Sequence, residues 1–416
     1  MTTYWHSVFL HQEKCTGCTN CMHRCPTHAI RVIDGKARIM EERCIDCGEC
    51  IKVCPYHAKD AKTDQLSDLA KYRYNVALPT IAMYGQFPID YDMQRVFNTF
   101  LRLGFNDVFD VALAADTISA YLKEHIEGAS ADIKPLISTY CPAVTRLIQI
   151  RYPALIDSII PIESPSEIAA RQARKRAREL TGFSDDEIGV FLITQCPAKV
   201  TSIKRPIGLD QSQVSGAISF KGIYPRILKL YETMTGEMVP IEQGSGKGIG
   251  WGRVGGQSYA IDMDRYIAVD GIDEVTKVLD KVDMELIKTI EFIEGYACVT
   301  GCVGGPLNVE NPFVAKSRIR THAKREQRYT DEELKSKCAF ENIIWTNEIE
   351  PHPILKLDKD FKKAIVLMSK IEALTKQLPG LDCGACGSPT CRVLAEDVVL
   401  GRGKMEDCIV KRGLRK

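Results

Sequence analysis

Two runs of four cysteines open this sequence, each spaced C-x2-C-x2-C-x3-C and each followed by proline. The first is Cys15, Cys18, Cys21 and Cys25 before Pro26; the second is Cys44, Cys47, Cys50 and Cys54 before Pro55. A triplet this close lets one loop wrap three corners of a cube, and the fourth cysteine reaches across to the other cube. The spacing therefore predicts two 4Fe–4S clusters. Cys15, Cys18, Cys21 and Cys54 hold one; Cys44, Cys47, Cys50 and Cys25 hold the other. Zinc is the rival, but it takes two separated pairs rather than a triplet plus one.

This stretch resembles a bacterial two-cluster ferredoxin, which implies electron transfer. A second compact set stands near the C-terminus: Cys383, Cys386, Cys391 and Cys408. Ser388-Pro389 predicts a helix cap that puts Cys391 in a first helical turn, where the helix dipole favours a thiolate. The set resembles the small one-cluster domain of electron-transport and corrinoid iron–sulfur proteins, with structural zinc as the alternative.

The chain has 416 residues and 17 cysteines, and its net charge of +1 gives no electrostatic ground for nucleic acid or membrane as a partner. Met1 to Leu10 shows no basic segment followed by an apolar run, and no uncharged apolar stretch approaches ~18 residues. A cytoplasmic location is expected. Clustered cysteines then mean metal or redox chemistry rather than disulfides. Three zones follow: residues 1–65, a two-cluster domain; 66–352, a long middle domain; and 353–416, a C-terminal cluster domain. The stretch Asn347 to Pro353 reads as a linker.

The middle zone reads as α/β. Asn75–Thr80, Val190–Thr194 and Thr289–Ile293 are apolar runs that suit buried parallel strands. Ser164-Pro165-Ser166-Glu167 predicts a helix start with a capping box. Phe361, Ala364, Ile365, Met368, Ile371 and Leu374 repeat at helical spacing until Pro379-Gly380. Gly244, Gly246, Gly248, Gly250 and Gly252 match no phosphate-loop template and read as a flexible loop. Lys316 to Arg328 reads as a solvated basic helix face, with docking of an acidic redox partner as the alternative. Cys338 has no partners by spacing and reads as inert, and His28 and His57, near the N-terminal cysteines, read as structural.

Cys141, Cys196 and Cys298 each follow an apolar run, and Cys302 lies close behind Cys298. Ligands gather at the carboxyl ends of strands in open α/β sheets, so the four are candidates for one shared cluster. Any one of them alone reads as a buried free cysteine. The neighbouring residues change that weighing. Thr139-Tyr140-Cys141-Pro142, Cys196-Pro197-Ala198-Lys199 and Glu294-Gly295-Tyr296-Ala297-Cys298-Val299-Thr300-Gly301-Cys302 resemble, in order, the three signatures of [FeFe]-hydrogenases. Phe105 to Asp110 and Arg253 to Gly256 agree, and the resemblance runs from the N-terminal domain to about residue 330.

The resemblance implies a two-lobed α/β domain with parallel sheets, flanked by a ferredoxin-like domain and a small helical cluster domain. It implies that the four middle cysteines bind a cubane and that Cys302 bridges to a diiron subsite with CO, cyanide and a dithiolate bridge, installed by maturation. Lys199 would hold a cyanide. Pro79 and Thr80, with Thr194 and Tyr296 at the usual methionine positions, would line the subsite. That makes four 4Fe–4S clusters in all.

This sequence departs from the family's catalytic members. Tyr140 replaces a cysteine that passes protons, and a phenol near pKa ~10 is a poorer relay than a thiol near ~8.5. The relay's serine and glutamate align with Ile160 and with Tyr121 or Ala120, and Pro306 and Leu307 break a glycine run. These features resemble the family's sensory branch. The expected function is low-turnover interconversion of hydrogen with protons and electrons, exchanged with a soluble redox partner such as ferredoxin. No output segment is evident, so a signal would pass to a separate signalling protein; a homodimer stays open. The alternatives are a catalytic hydrogenase subunit of an electron-transfer complex and a non-catalytic iron–sulfur assembly or carrier protein.

Overall fold

The computed structural model describes residues 5–130, 133–326, 330, 332–333, 343–352, 354, 357–358 and 360–413. Cys338 and Pro353 lie outside the described residues, as does the end of the basic stretch at Arg328.

The N-terminal part is built twice over. Each cysteine run opens a single-turn helix, Asn20–His23 and Glu49–Lys52. In each run the last cysteine sulfur accepts a backbone N–H at 3.2 Å, Ala29 to Cys25 and Ala58 to Cys54. His28 and His57 take the same left-handed conformation, at φ 50° and 48°. Two small antiparallel pairs frame the loops: Val8–Leu10 with Lys59–Ala61, and Ile30–Ile33 with Lys36–Ile39. The second pair closes through Asp34 and Gly35, both at positive φ, as a two-residue hairpin requires.

The middle part carries two parallel sheets. One has four strands in the order Asp107–Val108, Tyr74–Pro79, Ile188–Thr194, Gly216–Ser219. The other has three, in the order Tyr266–Asp270, Phe292–Tyr296, Leu136–Ile137. Ile188–Thr194 is buried along its whole length, which explains why its sequence is a continuous apolar run rather than an alternation. The third expected strand lies further along than Thr289–Ile293, because it includes the buried carboxylate Glu294. Four donors satisfy that carboxylate: the N–H groups of Gly256, Gln257 and Ser258 and the Ser258 hydroxyl. A charge inside a strand ends an apolar pattern without ending the strand.

The helix Pro165–Thr181 starts where Ser164 caps it, but Glu167 does not close a capping box. Its carboxylate binds Ser212 Oγ and Gln213 N, tying the helix to a distant loop. The glycine run is not a flexible loop. Ser245 caps a buried helix, Gly246–Gly250, fixed by two buried carboxylates. Asp110 accepts from Gly244 N, and Asp116 accepts from Ser245 N and Gly248 N. A Cβ at Gly244 would strike Ala112, and one at Gly246 would strike the Ala323 carbonyl. The glycines let helices approach backbone to backbone.

Residues 343–352 are laid along the middle domain rather than hanging free. Trp345 N donates to Pro161 O, and His352 N donates to Gln149 O, each at 2.8 Å. The basic stretch forms the helix Pro312–Arg325, whose buried side carries Ala315, Ile319, His322 and Ala323. In the C-terminal part, the helices Phe361–Lys376 and Cys391–Val399 pack together. Thr390, not Ser388, caps the second helix, accepting from Val393 N. Ser388 Oγ instead donates to Asp397, and Cys391 is the first helical residue. No helix among the described residues is long and apolar enough to cross a membrane.

Candidate metal centre

Twelve cysteines line three small cavities, four to each. Cys15, Cys18, Cys21 and Cys54 surround one. Cys25, Cys44, Cys47 and Cys50 surround the next. Each of these two sets draws its fourth member from the other run. Cys383, Cys386, Cys391 and Cys408 surround the third. Burial makes free thiolates costly here: it pushes the Cys21 thiol up to about 11, and Cys44 and Cys47 well above the ordinary thiol value. A bound cation reverses that preference, because a coordinated thiol loses its proton. Lys59 helps at the junction. It is 3% exposed, its ammonium has no hydrogen-bond partner among the described residues, and its charge lowers the thiol pKa of Cys21 in the first set and Cys50 in the second.

The remaining four cysteines come from three separate stretches. Cys141 follows the strand Leu136–Ile137, Cys196 follows Ile188–Thr194, and Cys298 follows Phe292–Tyr296. Cys302 enters from the turn beyond Cys298, where Gly301, at φ 95°, lies against the Arg253–Val254 backbone. Both sheets thus deliver ligand-type side chains at their carboxyl ends. The four sulfurs lie within electrostatic reach of one another, and burial with their mutual charges raises Cys196 to about 12.

Cys302 is partly buried, and the donors around it are fully so. Burial raises its pKa, and the Lys199 ammonium is the largest opposing influence. Tyr140 Oη and Gln195 Nε2 face the sulfur and favour its thiolate, though neither closes a full hydrogen bond. Lys199 Nζ stands 4.4 Å from the centre of the Tyr140 ring and has no hydrogen-bond partner among the described residues. Lys199, Gln195 and Tyr140 are each at most 5% exposed. Three buried polar atoms without partners in one place need an acceptor-rich occupant, since each otherwise carries an uncompensated desolvation cost.

The other expected site residues are placed as follows. Thr80 Oγ1 donates to Gln195 Oε1 at 2.6 Å and so orients that amide; Pro79 ends the strand beside it. Thr194 Oγ1 accepts from Cys196 N at 3.1 Å and supports the turn that carries this cysteine. Tyr296 packs edge-on against Tyr140, but its hydroxyl donates to Trp251 O and accepts from Gln257 Nε2. Two pocket residues escaped the sequence reading. Gln195 adjoins Cys196 inside a recognisable signature and was within reach; Trp251, edge-on to Tyr140 at 5.2 Å, carried no signal.

Residues 76–262 and 256–306 match the family described as "Iron only hydrogenase large subunit, C-terminal domain", which spans more than half of the chain. The chain belongs to this family. Its flanks match the 4Fe-4S dicluster domain, over residues 7–55, and a family described as "Putative Fe-S cluster", over residues 378–410. Together these imply iron–sulfur clusters around an H-cluster-type hydrogenase domain. A variant of the [FeFe]-hydrogenase HydA1 from Chlamydomonas reinhardtii shares the fold, with a TM-score of 0.54 at 15% identity, covering 70% of this chain and 98% of that one. A structure titled for oxygen inactivation of [FeFe]-hydrogenase through its 2Fe subcluster gives 0.53 at 15% identity, with the same coverage. The subunit HndD of an NADP-reducing hydrogenase from Solidesulfovibrio fructosivorans is 28% identical over 113 residues, 25% of this chain; the match spans 19% of its own length.

Proposed function

We propose that this hydrogenase-family chain binds hydrogen, turns it over slowly, and reports hydrogen or redox state to a separate protein. Its resident group would be a cubane on Cys141, Cys196, Cys298 and Cys302, bridged by Cys302 to a diiron unit with CO, cyanide and a dithiolate. The donor set suits such a group: Lys199 Nζ, Gln195 Nε2 and Tyr140 Oη are buried around Cys302 without partners among the described residues. Lys199 and Gln195 would hold the acceptor ligands, and Trp251, Tyr296 and Tyr140 keep water out. When bound, the group supplies the two-electron chemistry of hydrogen, released as two protons and two electrons.

The observation that carries the low-turnover reading is Tyr140. Relaying a proton needs a donor with a pKa near the working pH. Burial pushes the Tyr140 hydroxyl well above its ordinary value, and the Cys302 charge pushes it further. A phenol that keeps its proton this firmly is a poor relay. Of the other relay positions, Ile160 is buried and apolar, and neither Tyr121 nor Ala120 supplies the usual carboxylate. The test is hydrogen uptake and evolution by the matured protein, alongside infrared spectra in the CO and cyanide region under hydrogen. Bands that shift under hydrogen while turnover stays slow support the reading; turnover matching ordinary hydrogenases overturns it.

A further inference from the structure

The C-terminal cysteine set is seated directly on the first ferredoxin set. Val32 N donates to Gly387 O at 2.9 Å, and Gly387 sits so close to the Val32 carbonyl that no side chain would fit. Val32 also lines the cavity of Cys15, Cys18, Cys21 and Cys54. Gly384, between Cys383 and Cys386, lies on the His23 ring and the Met22 side chain; a Cβ there would stand 2.5 Å from the ring and 2.7 Å from Met22 Cε. Met22 and His23 directly follow Cys21. The Met22 and His23 side chains and the Val32 backbone thus form the contact between the two cysteine sets.

Two buried ion pairs lock this contact. Arg31 Nε meets Asp397 at 2.5 Å, and Arg43 meets Glu396 at 3.4 Å. Buried pairs add little net stability, and their best-attested use is fixing one arrangement against others. Here they fix the helix that Cys391 begins against residues neighbouring Val32 and Cys44.

The opposite end of the ferredoxin domain meets the middle site. Gly48 packs on Pro197 and Pro306, residues beside Cys196 and beyond Cys302. Cys47 packs against the same apolar cluster as Cys141, Cys196 and Ala198. The spatial order is therefore C-terminal set, first ferredoxin set, second ferredoxin set, middle set.

We propose that the C-terminal set is the outermost relay of this path, exchanging single electrons with the first ferredoxin set across the Met22–His23–Val32 contact. An external one-electron carrier meets it at the exposed Cys383 edge. Each step oxidises one cluster by one electron and reduces its neighbour by one, with no bond made or broken. The inference does not depend on whether hydrogen turnover is slow or fast.

The test uses the full-length chain reconstituted with iron and sulfide, followed by electron paramagnetic resonance during reduction. Neighbouring reduced clusters broaden each other's signals, so the C-terminal signal should broaden as the first ferredoxin cluster is reduced. Cys383→Ala removes an exposed ligand and should abolish the broadening. It should also slow reduction of the ferredoxin clusters by a reduced one-electron carrier protein by an order of magnitude or more. Additive signals in the wild-type chain, zinc in place of iron at this set, or unchanged reduction rates in the variant would each overturn the proposal.

Discussion

Each ferredoxin set and the middle set contain four cysteines, yet the chain builds them in opposite ways. Within residues 15–54, two short loops supply eight sulfurs, and the surrounding fold only has to bring the loops together. The middle four come from the ends of three strands and a turn, between Cys141 and Cys302. The first arrangement needs no distant residue and suits clusters that hand electrons to their neighbours. The second surrounds Cys302 with buried donors that only a completed fold can hold in place. Local spacing makes a conductor; long-range assembly makes a place for chemistry.

The largest effect that would sharpen this contrast is expected at Cys302. Cys302→Ser should remove the CO and cyanide infrared bands entirely while the ferredoxin signals persist, because those loops fold without it. A full set of bands in the variant would end the bridging assignment.

Tyr140→Cys comes next. A thiol with a pKa nearer neutrality should raise hydrogen turnover by about a hundredfold at most, within the range for one positioned acid–base group. Recovery should be partial, because the later relay positions, Ile160 and Tyr121 or Ala120, still lack the usual serine and glutamate. No gain at all would place the block elsewhere.

The middle domain should also have its own pH signature. Burial raises Asp110 and Asp116 to about 6 from 3.8. Between those values the folded chain binds more protons than the unfolded one, so this contribution is complete below 3.8 and is lost as pH rises through about 6. Each group accounts for at most ~3 kcal/mol. Urea unfolding of Asp116→Asn should show a shallower fall in stability across this window than the wild type; identical slopes would refute the assignment.

The smallest effect lies on the conducting side. Lys59→Met removes a buried cation that faces both ferredoxin sets, so both potentials should fall, by roughly 59 mV for each tenfold loss of preference for the reduced form. The middle cubane should not move. A shift confined to one ferredoxin cluster would show that Lys59 serves only that side.

What could be read from the sequence follows the same division. The N-terminal grouping of cysteines needs only the spacing within each run and the exchange of Cys25 and Cys54 between runs, and both are visible in one dimension. The strands ending near Cys196 and Pro79 were legible because complete burial leaves an uninterrupted apolar run. The strand ending at Tyr296 was displaced in the reading because Glu294 is charged, and its four donors come from residues 256–258. The glycines at 244–252 looked mobile because their reason is the backbone of other helices, at Ala112 and Ala323. Gln195 was legible beside Cys196 in its signature, whereas Trp251 enters the pocket through a contact with Tyr140 that no local pattern encodes.

The paired charges under the C-terminal helix limit how this chain can be rebuilt. Arg31 and Arg43 are each at most 5% exposed, and their carboxylates belong to the other domain. A foreign domain grafted over the same surface would bury two guanidiniums with no carboxylate to neutralise them, and losing one partner of a buried pair costs ~3–5 kcal/mol. The tail is therefore not an interchangeable cassette: arginine and carboxylate must change together, and any replacement has to bring its own acidic pair at the positions of Glu396 and Asp397.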